Sequence, residues 1–120
     1  MWTYTSYILW KYFEKIAAKS DELKLSELSD FIFNTLWRKE GVIFHEGVED
    51  LYLDLKYLQK IGVLEIYESE SLDETKIKVK DQEKLREAAK VAESLPDVMK
   101  LDALREYVER INKAIEYAVV

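Results

Sequence analysis

The chain has 120 residues and a mass of 14.2 kDa, the size of one domain; it is 48% hydrophobic and 35% charged, with three Gly and one Pro, which excludes a disordered or low-complexity polypeptide. The absence of Cys excludes disulfides, thiolate zinc sites and cysteine nucleophiles, and a single histidine, His45, leaves no pair for a metal and no spare base for a triad. Lys and Arg number 18 against 24 Asp and Glu, a net charge of −6 and a pI near 4.9 that argue against a generic nucleic-acid binder.

Leu9, Tyr12, Phe13 and Ile16 recur at spacings of three and four, so residues 5–19 are predicted as an amphipathic helix with Lys11, Glu14, Lys15 and Lys19 on its polar side. Ser20, Asp21 and Glu22 break it. A second helix is predicted from Ser26, read as its N-cap, to near Gly41, with Leu28, Phe31, Ile32, Thr35 and Leu36 inward. After the short extended segment Val42-Ile43-Phe44, a third helix covers residues 46–61. Its core stripe is Val48, Leu51, Leu55 and Leu58, and Gly62 stands where a left-handed C-terminal cap is expected.

The period then changes to two. Residues 63–68 and 75–80 alternate, with Leu64, Ile66, Ile77 and Val79 inward, and 69–74 is a polar hairpin loop. Asp81 is the expected N-cap of a fourth helix ended by Pro96, and Asp97 the cap of a fifth that reaches close to the C-terminus. The expected architecture is mainly α with a small two-stranded hairpin: a head over residues 1–80 and a helical pair over 81–120, within one compact domain.

The run Leu55-Lys56-Tyr57-Leu58-Gln59-Lys60-Ile61-Gly62-Val63-Leu64 resembles the end of the recognition helix and first wing strand of winged helix-turn-helix proteins, as found in small archaeal and bacterial transcription regulators. Leu25-Ser26-Glu27-Leu28 is similar to the opening of that family's second helix. The resemblance covers residues 5–80, although the second helix and the turn after it are longer than in compact members. It implies a head of three helices and a wing, and DNA binding through the third helix and the wing by a homodimer; winged helices also serve protein docking.

The exposed face of the third helix carries Glu46, Glu49, Asp50, Leu53, Asp54, Lys56, Tyr57 and Lys60. Its carboxylates favour the helix macrodipole but repel a phosphate backbone, and it lacks the Ser, Thr, Arg, Asn or Gln that usually read base edges. Leu53 and Tyr57, one turn apart, suit a protein partner. Lys76, Lys78 and Lys80 form the best basic stripe, either contacting phosphate or guarding a sheet edge. The candidate binding face is therefore Leu53, Lys56, Tyr57, Lys60, Lys76, Lys78 and Lys80; the first expectation is a homodimer that binds duplex DNA, and the alternative is another protein docked on the exposed face of the third helix.

No nucleotide, hydrolase or metalloprotease motif occurs, no carboxylate pair is embedded in apolar sequence, and His45 beside Glu46 reads as a polar turn residue. No enzymatic activity, cofactor or metal is expected. Six of the fifteen aromatics, Trp2, Tyr4, Tyr7, Trp10, Tyr12 and Phe13, fall in the first thirteen residues. They are read either as a flat ligand pocket or, preferably, as a helix packed around most of its circumference, with Phe31, Phe33 and Trp37 as neighbours.

In the last helix Leu101, Leu104, Val108, Ile111 and Ile115 follow heptad spacing and are the expected dimer interface; folding of that helix onto its own head is the alternative. Apolar runs of four residues or fewer do not span a bilayer, and the N-terminus lacks a signal-peptide pattern, so a soluble cytoplasmic protein is expected. Abundant Lys, Glu, Ile and Leu without Cys give a thermophile-like composition.

Overall fold

The computed structural model describes residues 2–119. Met1 and Val120, the outer ends of the two expected stretches, lie outside the described residues. Helix α1 spans Trp2–Lys15 and strand β1 Glu22–Lys24; helix α2 runs over residues 25–40 as an α-helical start, Leu25–Asp30, a π-helical stretch, Phe31–Trp37, and a final turn, Arg38–Glu40. Then follow α3 (Val48–Lys60), β2 (Leu64–Tyr67), β3 (Lys76–Val79), α4 (Gln82–Val98), a 3-10 turn (Asp102–Leu104) and α5 (Arg105–Val119). The protein is mainly helical with a small antiparallel sheet.

That sheet has three strands in the order β1-β3-β2, not the two expected. Leu23 lies opposite Ile77 on one side of β3, and Ile66 opposite Ile77 on the other. Leu23, Leu64, Ile77 and Val79 point into the core. β1 escapes a periodicity search because it is three residues with one apolar side chain, recruited by pairing to β3 rather than by its own alternation.

Helix α1 is the centre of the packing. Tyr4, Thr5, Ser6, Tyr7, Ile8, Leu9, Tyr12 and Phe13 are all buried, so it is covered on most sides, chiefly by α4 and also by α3 and α5. Tyr12 meets Phe31 edge-on at 5.5 Å between ring centres, while Phe33 and Trp37 pair with each other. In the π-helical stretch residues five apart stack on one face, which brings Phe31 and Leu36 into the core together with Ile32.

Helix α2 begins one residue before Ser26, and its N-cap, Lys24, makes no side-chain bond. The first amides find acceptors elsewhere: Leu25 N donates to Thr75 O at 2.9 Å and Ser26 N to Leu72 O at 3.3 Å. Backbone of the β2–β3 hairpin thus substitutes for a capping side chain. At the other end Arg110 of α5 donates to Glu40 O at 2.5 Å.

The third helix ends as its sequence requires. Val63 N bonds Leu58 O and Gly62 N bonds Gln59 O, a Schellman motif with Gly62 at φ +85°. Asp81 caps α4, accepting from Lys84 N at 3.1 Å. Pro96 does not end α4; it occupies the last turn, where one lost amide bond is tolerated, and the helix continues to Val98. A second Schellman motif stops it, with Leu101 N on Pro96 O and Lys100 N on Asp97 O. Asp97 accordingly does not cap α5; it pairs with Arg105 at 2.6 Å. Lys100 holds φ +55° in this motif, a conformation costly for a residue with a Cβ. Lys100→Gly is expected to stabilise the protein by about 1 kcal/mol, read as a raised urea midpoint at unchanged slope.

Helix α5 folds back on its own chain, against α1, α2 and α4. Ile111 and Ile115 are buried in the shared core and Val108 is half-buried against it, which takes Ile111 and Ile115 out of the expected dimer interface. The apolar stripe of this helix is wider than a two-stranded seam because it meets several helices of its own chain. Leu104 is half-buried, and Leu101 remains exposed. Among the described residues no helix is long and apolar enough to cross a membrane.

Candidate docking site

Subtracting Leu51, Leu55 and Leu58, all fully buried, leaves an outward face of α3 that begins with Glu49 and Asp50. Asp50 reaches back to accept from Glu46 N at 3.0 Å, so one of these acids is tied into the helix start. Leu53, 66% exposed, is the most exposed apolar residue of this helix. Tyr57, one turn on, is also exposed and packs one side of its ring against Trp2, with ring centres 5.3 Å apart. Lys60 is exposed at the C-terminal end.

Between the first half of α3 and the β2–β3 hairpin lies a groove of about 510 Å³. Leu25, Val48, Tyr52, Leu53 and Leu72 supply its apolar surface, and Glu49, Glu68 and Glu70 line it with carboxylates; no cationic side chain is among the lining residues. The hairpin wall is tied down by Thr75, which is buried. Its hydroxyl donates to Ser71 O at 2.9 Å and accepts from Ser69 N at 3.1 Å. Ser69 and Ser71 each bond Glu74 as well.

Lys56 spans from α3 to the hairpin, its Nζ 2.7 Å from Glu68 and 5.3 Å from the centre of the Tyr52 ring. Tyr52 donates its hydroxyl to the same Glu68. Hydrogen bonds from Lys56 and then Tyr52 lower the Glu68 pKa, and the carboxylate in turn raises those of Lys56 and Tyr52. Lys56 therefore braces the groove rather than presenting an unengaged cation.

Lys76, Lys78 and Lys80 stand together with Lys24 on the outer surface of the sheet. Two glutamates interleave with them. Glu22 and Glu65 are the register partners of Lys78 on its two sides, Lys76 lies 3.5 Å from Glu22, and Lys80 lies 3.7 Å from Glu65. A cationic excess remains, diluted by these carboxylates.

Asp54 leaves the outward face where the sequence reading put it. Its Oδ2 accepts from the Thr5 hydroxyl at 2.8 Å and lies 2.8 Å from His45 Nε2, which is 2.9 Å from Thr5 Oγ1. His45 is buried, not a solvated turn residue. Burial raises the Asp54 pKa, but the hydrogen bonds from His45 and Thr5 outweigh it and hold the carboxyl below its ordinary value. A nucleophilic relay divides the two imidazole nitrogens between an acid and a hydroxyl. Here one nitrogen faces both, and Nδ1 is buried without a hydrogen-bond partner among the described residues. The trio has the geometry of a clasp joining α1, the α2–α3 loop and α3. Among the described residues no group of three or more His, Cys, Asp or Glu is placed to hold a metal ion.

The structure thus brings Leu53 to the groove, with Lys56 bracing one wall through Glu68, and collects Lys76, Lys78 and Lys80 on a separate surface. Leu72 and Leu25, which complete the groove, lie in a polar loop and at a helix start, where no periodic signal marks them. Comparison of the chain with protein-family models, with curated proteins and with solved structures finds no match.

Proposed function

We propose that this chain is a winged-helix binding protein, related in architecture to transcription regulators, whose third helix and wing receive a segment of another protein. The order helix, strand, helix, helix, strand, strand, with β3 between β1 and β2, supports the winged-helix reading. The groove carries the functional one: an apolar floor with Glu49 and Glu70 at its margin, Glu68 being already paired with Lys56, fits an apolar side chain flanked by Lys or Arg. The same carboxylates oppose a phosphate backbone, which carries about one charge per 1.7 Å of duplex.

A second reading, duplex DNA held against the outer surface of the sheet, is favoured by one observation, the four exposed lysines 24, 76, 78 and 80. Two titrations separate the readings. A labelled peptide with a central Leu flanked by Lys is expected to bind, and Leu53→Asp/Leu72→Asp to weaken it about tenfold or more, about 1.4 kcal/mol. A labelled duplex across a salt series is expected to show only weak, non-specific binding. Absence of peptide binding, with tight duplex binding whose salt slope falls by about 0.9 per lysine when Lys76, Lys78 and Lys80 become Ala, would overturn the docking reading.

A further inference from the structure

Within the sheet the alternation of backbone bonds decides which groups face outward. Val79 N donates to Asp21 O and Leu25 N to Thr75 O, so residues 75, 77 and 79 bond toward β1, and Lys76 and Lys78 bond toward β2. Their register partners Tyr67 and Glu65 turn inward, which leaves the amides and carbonyls of Leu64 and Ile66 on the free edge of β2. A polypeptide laid in the groove as an added strand would have to pair there. That edge is already engaged. Helix α3 packs against β2, and Gln59 Oε1 takes the Ile66 amide at 2.8 Å. At the opposite edge Ser20 does the same for β1, accepting from Glu22 N at 3.1 Å and donating to Glu22 O at 2.8 Å.

What the groove offers instead is side chains at helical spacing. Val48 and Tyr52 stand one turn apart on α3, as do Glu49 and Leu53 beside them, and all four line the groove. Two such rows are the ridges between which the side chains of a second helix interdigitate. Leu72 faces them from the hairpin. The charges are placed to match. Glu49 comes from the α3 wall and Glu70 from the hairpin wall, and unlike Glu68 neither enters an ion pair among the described residues. A helix with an apolar stripe and Lys or Arg along both margins meets one carboxylate on each side. A strand cannot do this, because its side chains alternate between opposite faces.

We infer, resting on the docking reading above, that the partner segment enters the groove as a basic amphipathic helix and not as a strand added to β2. Two labelled peptides of identical Leu and Lys composition, titrated into the whole protein by fluorescence anisotropy, test it. One carries its leucines at helical spacing and the other alternates Leu with Lys. The helical pattern is expected to bind about tenfold tighter or more, to gain helical circular dichroism on binding, and to lose that affinity in Leu53→Asp/Leu72→Asp. Gln59→Ala, which releases the Ile66 amide, is expected to change neither affinity by more than about twofold. An alternating peptide that binds as tightly as the helical one, or that tightens about tenfold in Gln59→Ala, overturns the inference and leaves docking in the groove standing. Helical binding that survives Leu53→Asp/Leu72→Asp overturns it by placing the helix elsewhere. Failure of both peptides to bind overturns the docking reading and this inference with it.

Discussion

Leu55→Ala is expected to destabilise the protein by about 2–5 kcal/mol, the range for removing a fully buried leucine when the surroundings collapse only in part. Leu55 is the middle of three core leucines on α3, a helix that packs on α1 and on β2. The cavity would open where the head's elements converge. With a urea slope of about 1–3 kcal/mol/M, the midpoint should fall by about 1–3 M. Leu53→Ala, two residues away on the exposed face, is the control and should lie within about 0.5 kcal/mol of wild type. Equal effects from the two substitutions would mean that α3 is rotated from the orientation described.

Asp54→Asn is expected to cost about 1–3 kcal/mol at neutral pH, because it weakens the acceptor shared by His45 and Thr5 in a largely buried position. Its effect should also depend on pH, with a sign set by the lowered Asp54 pKa. A carboxyl whose folded pKa lies below the unfolded value of about 3.9 contributes its full stabilisation above that value. The contribution is lost as pH falls through the folded pKa. Urea midpoints measured from neutrality into acid should therefore show wild type and Asp54→Asn converging below about pH 4. Curves that stay parallel throughout would remove Asp54 as an ionised member of the clasp.

Much of the head was legible because its signals are local. Leu51, Leu55 and Leu58 at helical spacing, Gly62 after them and the alternation of residues 63–68 and 75–80 each reflect a rule acting within a few residues. The crowded aromatics of α1 were legible as burial around most of the helix, since Lys11 is the one charged residue among the first thirteen. What stayed hidden depends on distant partners. β1 exists because β3 offers an edge, and Ser26 is not a cap because hairpin carbonyls take its place. His45 is buried and Asp54 half-buried because each finds the other and Thr5, a pairing that no spacing encodes. At the candidate site Leu53 could be read from its position on the outward face, whereas Leu72 sits in a loop with no period to betray it.

The bonds from Leu25 and Ser26 to Thr75 and Leu72 also bear on how the molecule opens. The start of α2 and the hairpin are some fifty residues apart in sequence but share their backbone bonding, so neither completes its hydrogen bonds without the other. Displacing the hairpin leaves those two amides without acceptors, and swinging α2 away leaves the Thr75 and Leu72 carbonyls without these donors. The two belong to one cooperative unit of local unfolding, not to separate flaps. A molecule seated between α3 and the hairpin therefore leans on a wall braced from behind by a helix, and any change it imposes on the hairpin is felt first at the beginning of α2.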